Sequence, residues 1–394
     1  MRGGDVRRDG LFSYVRPESR ITGRHPIRLI RGGRDEALKL LDARFAMLDA
    51  ENGRPSIPPE QLLRALLVQA FYSIRSERQL MEQLNYNLLF RWLVGLSVDD
   101  PVWVPTVFSK NRDRLLEGDI AAAFMDAVLN LPRVKALLSD EHFSVDGTLI
   151  QAWASMKSFR RKDGIDEPPA PGRNGERNFH NEKRSNETHA STTDPDARLA
   201  RKSNGQGAKL AFTGHLQMEN RNGLVVDACL TRATGTAEPE AALAMLKALS
   251  DAGHKTVGAD KNYDTAAFVA SSRAAGVTPH VAQNINAHRG SNIDGRTTRH
   301  AGYRLSQVVR KRIEEANGWI KEIGGMAQTK LRGVKRVEWM FVFKATNDTR
   351  YLINPTESQK AGPYGKIGLG PTRLRFGSSG DSILPGGVGW IFAM

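Results

Sequence analysis

The spacing of apolar positions changes part-way along this chain. From Pro58 to about residue 96 it is helical. Leu62, Leu63, Leu66, Leu67, Ala70 and Phe71 make one stripe, Leu80 and Leu84 a second, and Leu88, Leu89, Trp92 and Leu93 a third. Pro58 and Pro59 suit a helix start, and Ser76-Glu-Arg-Gln79 reads as a capping box. Ahead of these a short basic arm and a helix near 34–48 are expected. Behind them come a break at Asp99-Asp-Pro101 and Pro105, then a helical stretch at about 107–130. From 141 the period becomes two. EHFSVDGTLIQAW alternates as a strand, and KLAFTGHLQMENRNGLVVDACLTR reads as two strands joined at Asn220-Arg-Asn-Gly223, a hairpin signal. A helix at about 237–251, a strand KTVGAD ending at Asp260, a helix near Asp264, a strand near 278–282 and a long helix from Tyr303 past Lys321 follow.

Strand, hairpin, helix, strand, helix, strand, helix is the element order of an RNase H-like α/β domain. The pattern therefore predicts that fold over 136–343, preceded by an all-α region over 1–135. Two stretches fit neither part. Residues 157–209 hold 12 Lys/Arg and 8 Asp/Glu among few apolar residues, too polar to bury a core, and are expected to form an exposed, partly disordered insert. Residues 361–394 hold 9 Gly with no amphipathic period, so 344–394 is expected to be a disordered or atypical tail. The run VEWMFVF ahead of it is expected to pack as a strand or short helix.

Charge adds a partner. The 394 residues carry a net +14, and a basic excess of that size favours a polyanion because phosphate contacts release counterions. One cysteine, Cys229, excludes a disulfide framework and a cysteine zinc site within one chain, and fits a reducing, cytoplasmic setting. No apolar run approaches a membrane span, and MRGGDVRRDG does not read as a secretory signal.

Candidate chemistry gathers at three places. Asp146 in FSVDGT and Asp260 in VGADKNYD each end an apolar strand and precede turn residues, a placement that suits holding a hard cation. A turn or helix-cap role is the plainer explanation of either aspartate taken alone. In SQVVRKRIEEANGWIKEI, Arg310, Glu314 and Lys321 fall at i, i+4 and i+11, one helix face with a carboxylate between two cations. An ion-paired surface helix is the plainer explanation of that spacing, and Glu315 or Glu322 would serve it as well.

Taken together, FSVDGTLIQAWAS, TGTAEPEAALAML, GADKNYDT and Arg310-x3-Glu314-x6-Lys321 resemble the DDE transposases of the bacterial insertion-sequence-five group. PPEQLLRALLVQAFYSIRSERQLMEQLNYNLLFRWLVGL and TVFSKNRDRL extend the likeness over roughly residues 10–343. The resemblance implies that Asp146, Asp260 and Glu314 are catalytic and hold two Mg²⁺ or Mn²⁺ ions. It implies cleavage at insertion-sequence ends and strand transfer into target DNA. Double-stranded DNA, as terminal inverted repeats and target, would be the partner, in a homodimer or larger assembly near the nucleoid. Arg310, Lys321, Lys110, Arg112 and Arg114 are candidates for meeting phosphate, as are Arg75 and Arg78; solvated surface charge is the competing explanation for each.

Three departures stand out. Gln307 occupies a position where the group usually has Tyr, and Asn262 one where a small residue is usual, tolerable there because Asn accepts a left-handed turn. The group usually closes with an apolar helix soon after the glutamate helix, where this chain has FKATNDTRYLIN and the Gly-rich tail, as a shifted reading frame near 344 would produce. That leaves open a degraded transposase that only binds DNA. A stand-alone RNase H-like nuclease is a further alternative, with the helical N-terminal region then unexplained.

Overall fold

The computed structural model describes residues 16–48, 56–117, 119–163, 184–203, 205–249, 253–285 and 290–347. Helices come first. α1 (Pro17–Arg20), α2 (Pro26–Lys39) and α3 (Asp42–Ala46) lead into α4 (Pro59–Phe71), α5 (Glu77–Tyr86), α6 (Leu88–Val94), α7 (Pro105–Glu117), α8 (Ile120–Leu129) and α9 (Pro132–Lys135). Local chemistry sets several of these ends. The Ser76 hydroxyl accepts from the Gln79 amide at 3.2 Å to start α5, as the capping pattern predicts. Asn87 caps α6 through the amides of Leu89 and Phe90, and Gly95, at φ +90°, ends it.

The remaining elements are β1 (His142–Gln151), β2 (Phe159–Arg161), β3 (His189–Ser191), β4 (Arg198–Ala200), β5 (Lys209–Glu219), β6 (Val225–Arg232), α10 (Ala237–Lys247), β7 (Lys255–Ala259), α11 (Ala266–Ala274), β8 (Val277–Val281), α12 (Gly295–Thr298), α13 (Ala301–Val309), α14 (Arg312–Glu322) and α15 (Val334–Thr346). The main sheet runs β6-β5-β1-β7-β8, with β4 extending the β6 edge of β5. β5 is antiparallel to β1 and β6, whereas β7 is parallel to β1 and β8. The expected hairpin forms at Asn220–Gly223. Its buried Glu219 carboxylate accepts from the amides of Arg221, Asn222 and Leu224, which offsets the cost of burying the charge.

One apolar core joins the N-terminal helices to one face of the sheet. Phe212, Leu216 and Ile150 from the strands meet Phe341 and Phe343 from α15, and Phe343 stacks on Phe124 of α8 at 5.7 Å. Buried Arg34 of α2 donates to the Thr346 carbonyl at 2.9 Å, tying α2 to the C-terminal end of α15. A smaller core on the opposite face holds Val145, Val257 and Ala259 against Ala242 and Leu246 of α10 and Phe268 of α11.

Several expectations are corrected. VEWMFVF takes the helical one of its two expected forms, but the helix runs on through Thr346, so an apolar closing helix does follow the glutamate helix. Residues 344–347 belong to the fold, and the tail from 348 lies outside the described residues. The polar insert is partly built. β2 pairs with β3, Phe159 and Ser191 are buried, and β4 joins the main sheet; residues 164–183 lie outside the described residues. The stretch at 107–130 is two helices, α7 and α8. The long helix expected from Tyr303 is also two, with the turn at Arg310–Lys311. Asn262 is not left-handed. It lies in a 3₁₀ turn, Lys261–Tyr263, and its amide donates to Asp260 Oδ1 at 2.8 Å. Among the described residues no helix is long and apolar enough to cross a membrane.

Candidate active site

β1 and β7 pair only over His142–Ser144 and Thr256–Gly258. Asp146 and Asp260 each stand two residues past the last pair, Ser144 with Gly258, where the two parallel strands part. Asp260 follows the end of β7, but Asp146 and Gly147 lie within β1, opposite Leu216 and His215 of β5, and not at a strand end followed by a turn as expected.

Side chains alternate along β1, so Asp146 leaves one face and Gly147 the other. On the first face, Asn317 of α14 donates its amide to Asp146 Oδ2 at 2.8 Å. Glu314 lies one turn earlier on α14, exposed to solvent. On the second face, Glu238 in the first turn of α10 lies against Gly147. A Cβ there would stand 2.6 Å from Glu238 Cγ and 2.8 Å from its Oε1. Near the corner where β1 and β7 part, Asp146 and Glu314 thus belong to one face of the sheet and Glu238 to the other, with Asp260 at the end of β7.

Their charges act on one another. The Asp146 carboxyl is pushed up to about 7, chiefly by burial and then by the like charges of Asp260, Glu238 and Glu314. Burial and Asp260 raise Glu238 as well. The Tyr263 hydroxyl beneath is held well above its ordinary value by burial, with Glu238, Asp146 and Asp260 adding to the effect. Lys321 is lowered by burial and by nearby Lys202, with Asp146 acting in the opposite sense.

The segment carrying Arg310 is fixed to the sheet by polar contacts. Ser306 of α13 bridges two imidazoles, His142 Nε2 at 2.8 Å and His280 Nδ1 at 2.6 Å. Burial lowers both, His280 to about 4. Gln307 donates to the His280 carbonyl at 2.6 Å and accepts from Arg310 Nε at 3.0 Å, so the residue replacing the expected Tyr aims Arg310. Gly258 lets this turn approach β7, since a Cβ there would lie 3.2 Å from Arg310 Cβ.

The other predicted residues are placed differently. Among the described residues neither Arg310 nor Lys321 makes an ion pair with a carboxylate, and Lys110, Arg75 and Arg78 are exposed. Arg112 instead spans Glu77 and Asp113 inside the helical region, and Arg114 donates to the Ser56 hydroxyl at 3.2 Å.

Residues 15–114 match the family model described as a transposase domain (DUF772). That segment covers α1 to most of α7 and stops short of the carboxylate corner. No curated protein matches the chain. Among solved structures it is similar to a piggyBac transposase synaptic complex with hairpin DNA, at TM-score 0.38 and 10% identity over 85% of this chain and 76% of that one. A Mos1 strand transfer complex gives TM-score 0.19 and 14% identity over 81% and 82%. Overlap at this level leaves the architecture to be judged from the sheet itself.

The donors at the corner are all oxygen, which suits a hard divalent cation in kind. Asn317 adds an orphan. It is 6% exposed, and its Oδ1 accepts no hydrogen bond although its amide nitrogen is engaged by Asp146. As the side chains lie, no three His, Cys, Asp or Glu among the described residues are gathered tightly enough to hold a metal ion. Glu314 and Asp260, the more accessible pair, would have to close on it.

Proposed function

We propose that this chain is a DNA transposase of the DDE type, with an RNase H-like catalytic domain, that cleaves insertion-sequence ends and transfers strands into target DNA. What supports this reading is that Asp146 and Asp260 stand where β1 and β7 part, and that Glu314 on α14 is near enough for its charge to act on Asp146. The three residues come from the middle of β1, the end of β7 and a helix, and span 168 positions (314 − 146). The strand order β6-β5-β1-β7-β8, with β5 alone antiparallel to β1, supports the fold, and the transposase-domain match over 15–114 supports the class.

Asp146, Asp260 and Glu314 would hold two divalent cations. When bound, these ions activate the attacking oxygen and stabilise the leaving oxygen of an in-line displacement at phosphorus. The protein's own groups do the remaining work. Asp146 must give up the proton that burial favours before it can act as a ligand. Asn317 fixes its Oδ2, and the Asn262 amide fixes Asp260 Oδ1. Arg310, aimed by Gln307, and Lys321 would meet backbone phosphates of the DNA. The alternative, an impaired copy that only binds DNA, drew on a missing closing helix, and α15 weakens that argument.

The test uses the full chain, Mg²⁺ and duplex DNA carrying the element's own ends. Wild type should nick the ends, whereas D146N should bind the same DNA with near-unchanged affinity and not cut it. Equal cutting by D146N would refute the reading.

A further inference from the structure

A cavity of about 290 Å³ lies beside β6, two strands from β1, where α8, α10 and α15 come together. Its walls are of two kinds. Met125 of α8, Met245 of α10 and Val342 of α15 are apolar, whereas Asp126 of α8, Asp227 of β6 and Gln217 of β5 are polar. The register of β5 and β6 slips between Gln217 and Met218, so β6 bulges at this place. Gln217 points to a ligand. It is fully buried and lines the cavity, yet neither its amide oxygen nor its nitrogen has a hydrogen-bond partner. A buried amide left so costs stability. Asp227, its partner across the strand pair, is half-buried and accepts only from the neighbouring Ala228 amide, at 2.7 Å. Among the described residues neither Asp227 nor Asp126 makes an ion pair. Burial holds the Asp227 carboxyl above its ordinary value, and the charge of Asp126 adds to the effect.

We infer that this cavity binds a short aliphatic diamine, one ammonium meeting Asp227 and Gln217 Oε1, the other exposed Asp126, with the alkyl body on Met125, Met245 and Val342. An ammonium brings three N–H donors to walls that offer carboxylate and amide oxygens. Methionine side chains adapt their shape to an alkyl chain. Other ligands fit less well. An anion would face two carboxylates, and a neutral alkyl group would leave Asp227 unpaired. A hard metal ion takes six or more oxygen ligands, gains nothing from the apolar wall, and finds no group of three His, Cys, Asp or Glu here among the described residues. Binding here is independent of the proposed DNA chemistry, and it would hold α8 of the helical region against the sheet.

The test is a methyl NMR spectrum of the full-length protein labelled with methyl-¹³C-methionine, titrated with putrescine at constant ionic strength. The Met125 and Met245 signals are assigned with M125L and M245L, swaps that conserve volume. Both should shift and saturate. Butanol and Mg²⁺ should leave them in place. D227N should weaken binding by about tenfold or more, as loss of a hydrogen bond to a charged group implies, and D126N, at an exposed position, by roughly two- to fivefold. If D227N does not fold, D126N and the wild-type controls decide the matter. No saturable shift with putrescine, the same shift with butanol or Mg²⁺, or wild-type affinity in D227N or D126N would overturn the assignment.

Discussion

Two glycines on neighbouring strands show how differently this sheet is used on its two sides. Gly214 of β5 and Gly147 of β1 are both filled by a side chain from a covering helix. At Gly214 the occupant is the Phe341 ring, 2.4 Å from where a Cβ would be, within the apolar core of α15. At Gly147 it is a carboxyl group, beside another whose proton affinity is raised by burial. The first region is arranged for stability. The second carries clustered like charge, the kind of arrangement that functional sites keep at the expense of stability.

That contrast can be broken by substitution. The largest expected effect is on the apolar side. Phe341→Ala should destabilise the fold by about 3–5 kcal/mol, and Gly214→Ala, which forces a Cβ into the ring, by about 1–3 kcal/mol, read from denaturant unfolding. Gly147→Ala should cost less than Gly214→Ala, because the Glu238 side chain can swing aside whereas a packed ring cannot. A larger loss at Gly147 would show that the corner, too, is built for packing.

A smaller effect, opposite in sign, is expected at Asp146. Its folded-state value of about 7 lies above the ordinary 3.8, so its protonated form favours the fold. That contribution is complete below about pH 4 and is lost as pH rises through about 7. In EDTA, D146N should therefore melt near wild type at pH 4 and above it at pH 8, by more than about 1 kcal/mol in stability. An unchanged or lower melting temperature at pH 8 would mean that the carboxylate is not under electrostatic pressure.

The smallest effect concerns DNA. Arg310→Ala and Lys321→Ala should each reduce the slope of log affinity against log salt by about 1, as loss of one phosphate contact does. Arg112→Ala should leave that slope unchanged and lower the melting temperature, because its partners are Glu77 and Asp113. A reversed pattern would move the DNA path onto the helical region.

What the sequence disclosed follows from the range of each signal. The Ser76 cap, the Asn220–Gly223 hairpin and the strand-end position of Asp260 are encoded within a few residues, and each was legible, whereas Asp146 lies inside β1 because Gly147 continues the strand and makes no turn. α15 was ambiguous because it is buried nearly all round, which removes the polar face that marks a helix. Glu238, Gly147, Asn317 and Gln307 acquire meaning only through contacts across the fold. In sequence Glu238 is an ordinary first-turn acid in AEPEAALAML, and Asn317 an ordinary polar residue of an exposed-looking helix. The β2–β3 pair escaped notice because two three-residue strands leave no measurable alternation.

The central claim is that side chains from β1, β7 and α14 form one cation site. Anomalous diffraction from a crystal of the full chain soaked in Mn²⁺ tests it most directly. A Mn²⁺ peak is expected in the gap where β1 and β7 part, ligated by Asp146 and Asp260, with Glu314 drawn toward it. A Mn²⁺ peak elsewhere, or none at a concentration that supports DNA cleavage, would contradict it.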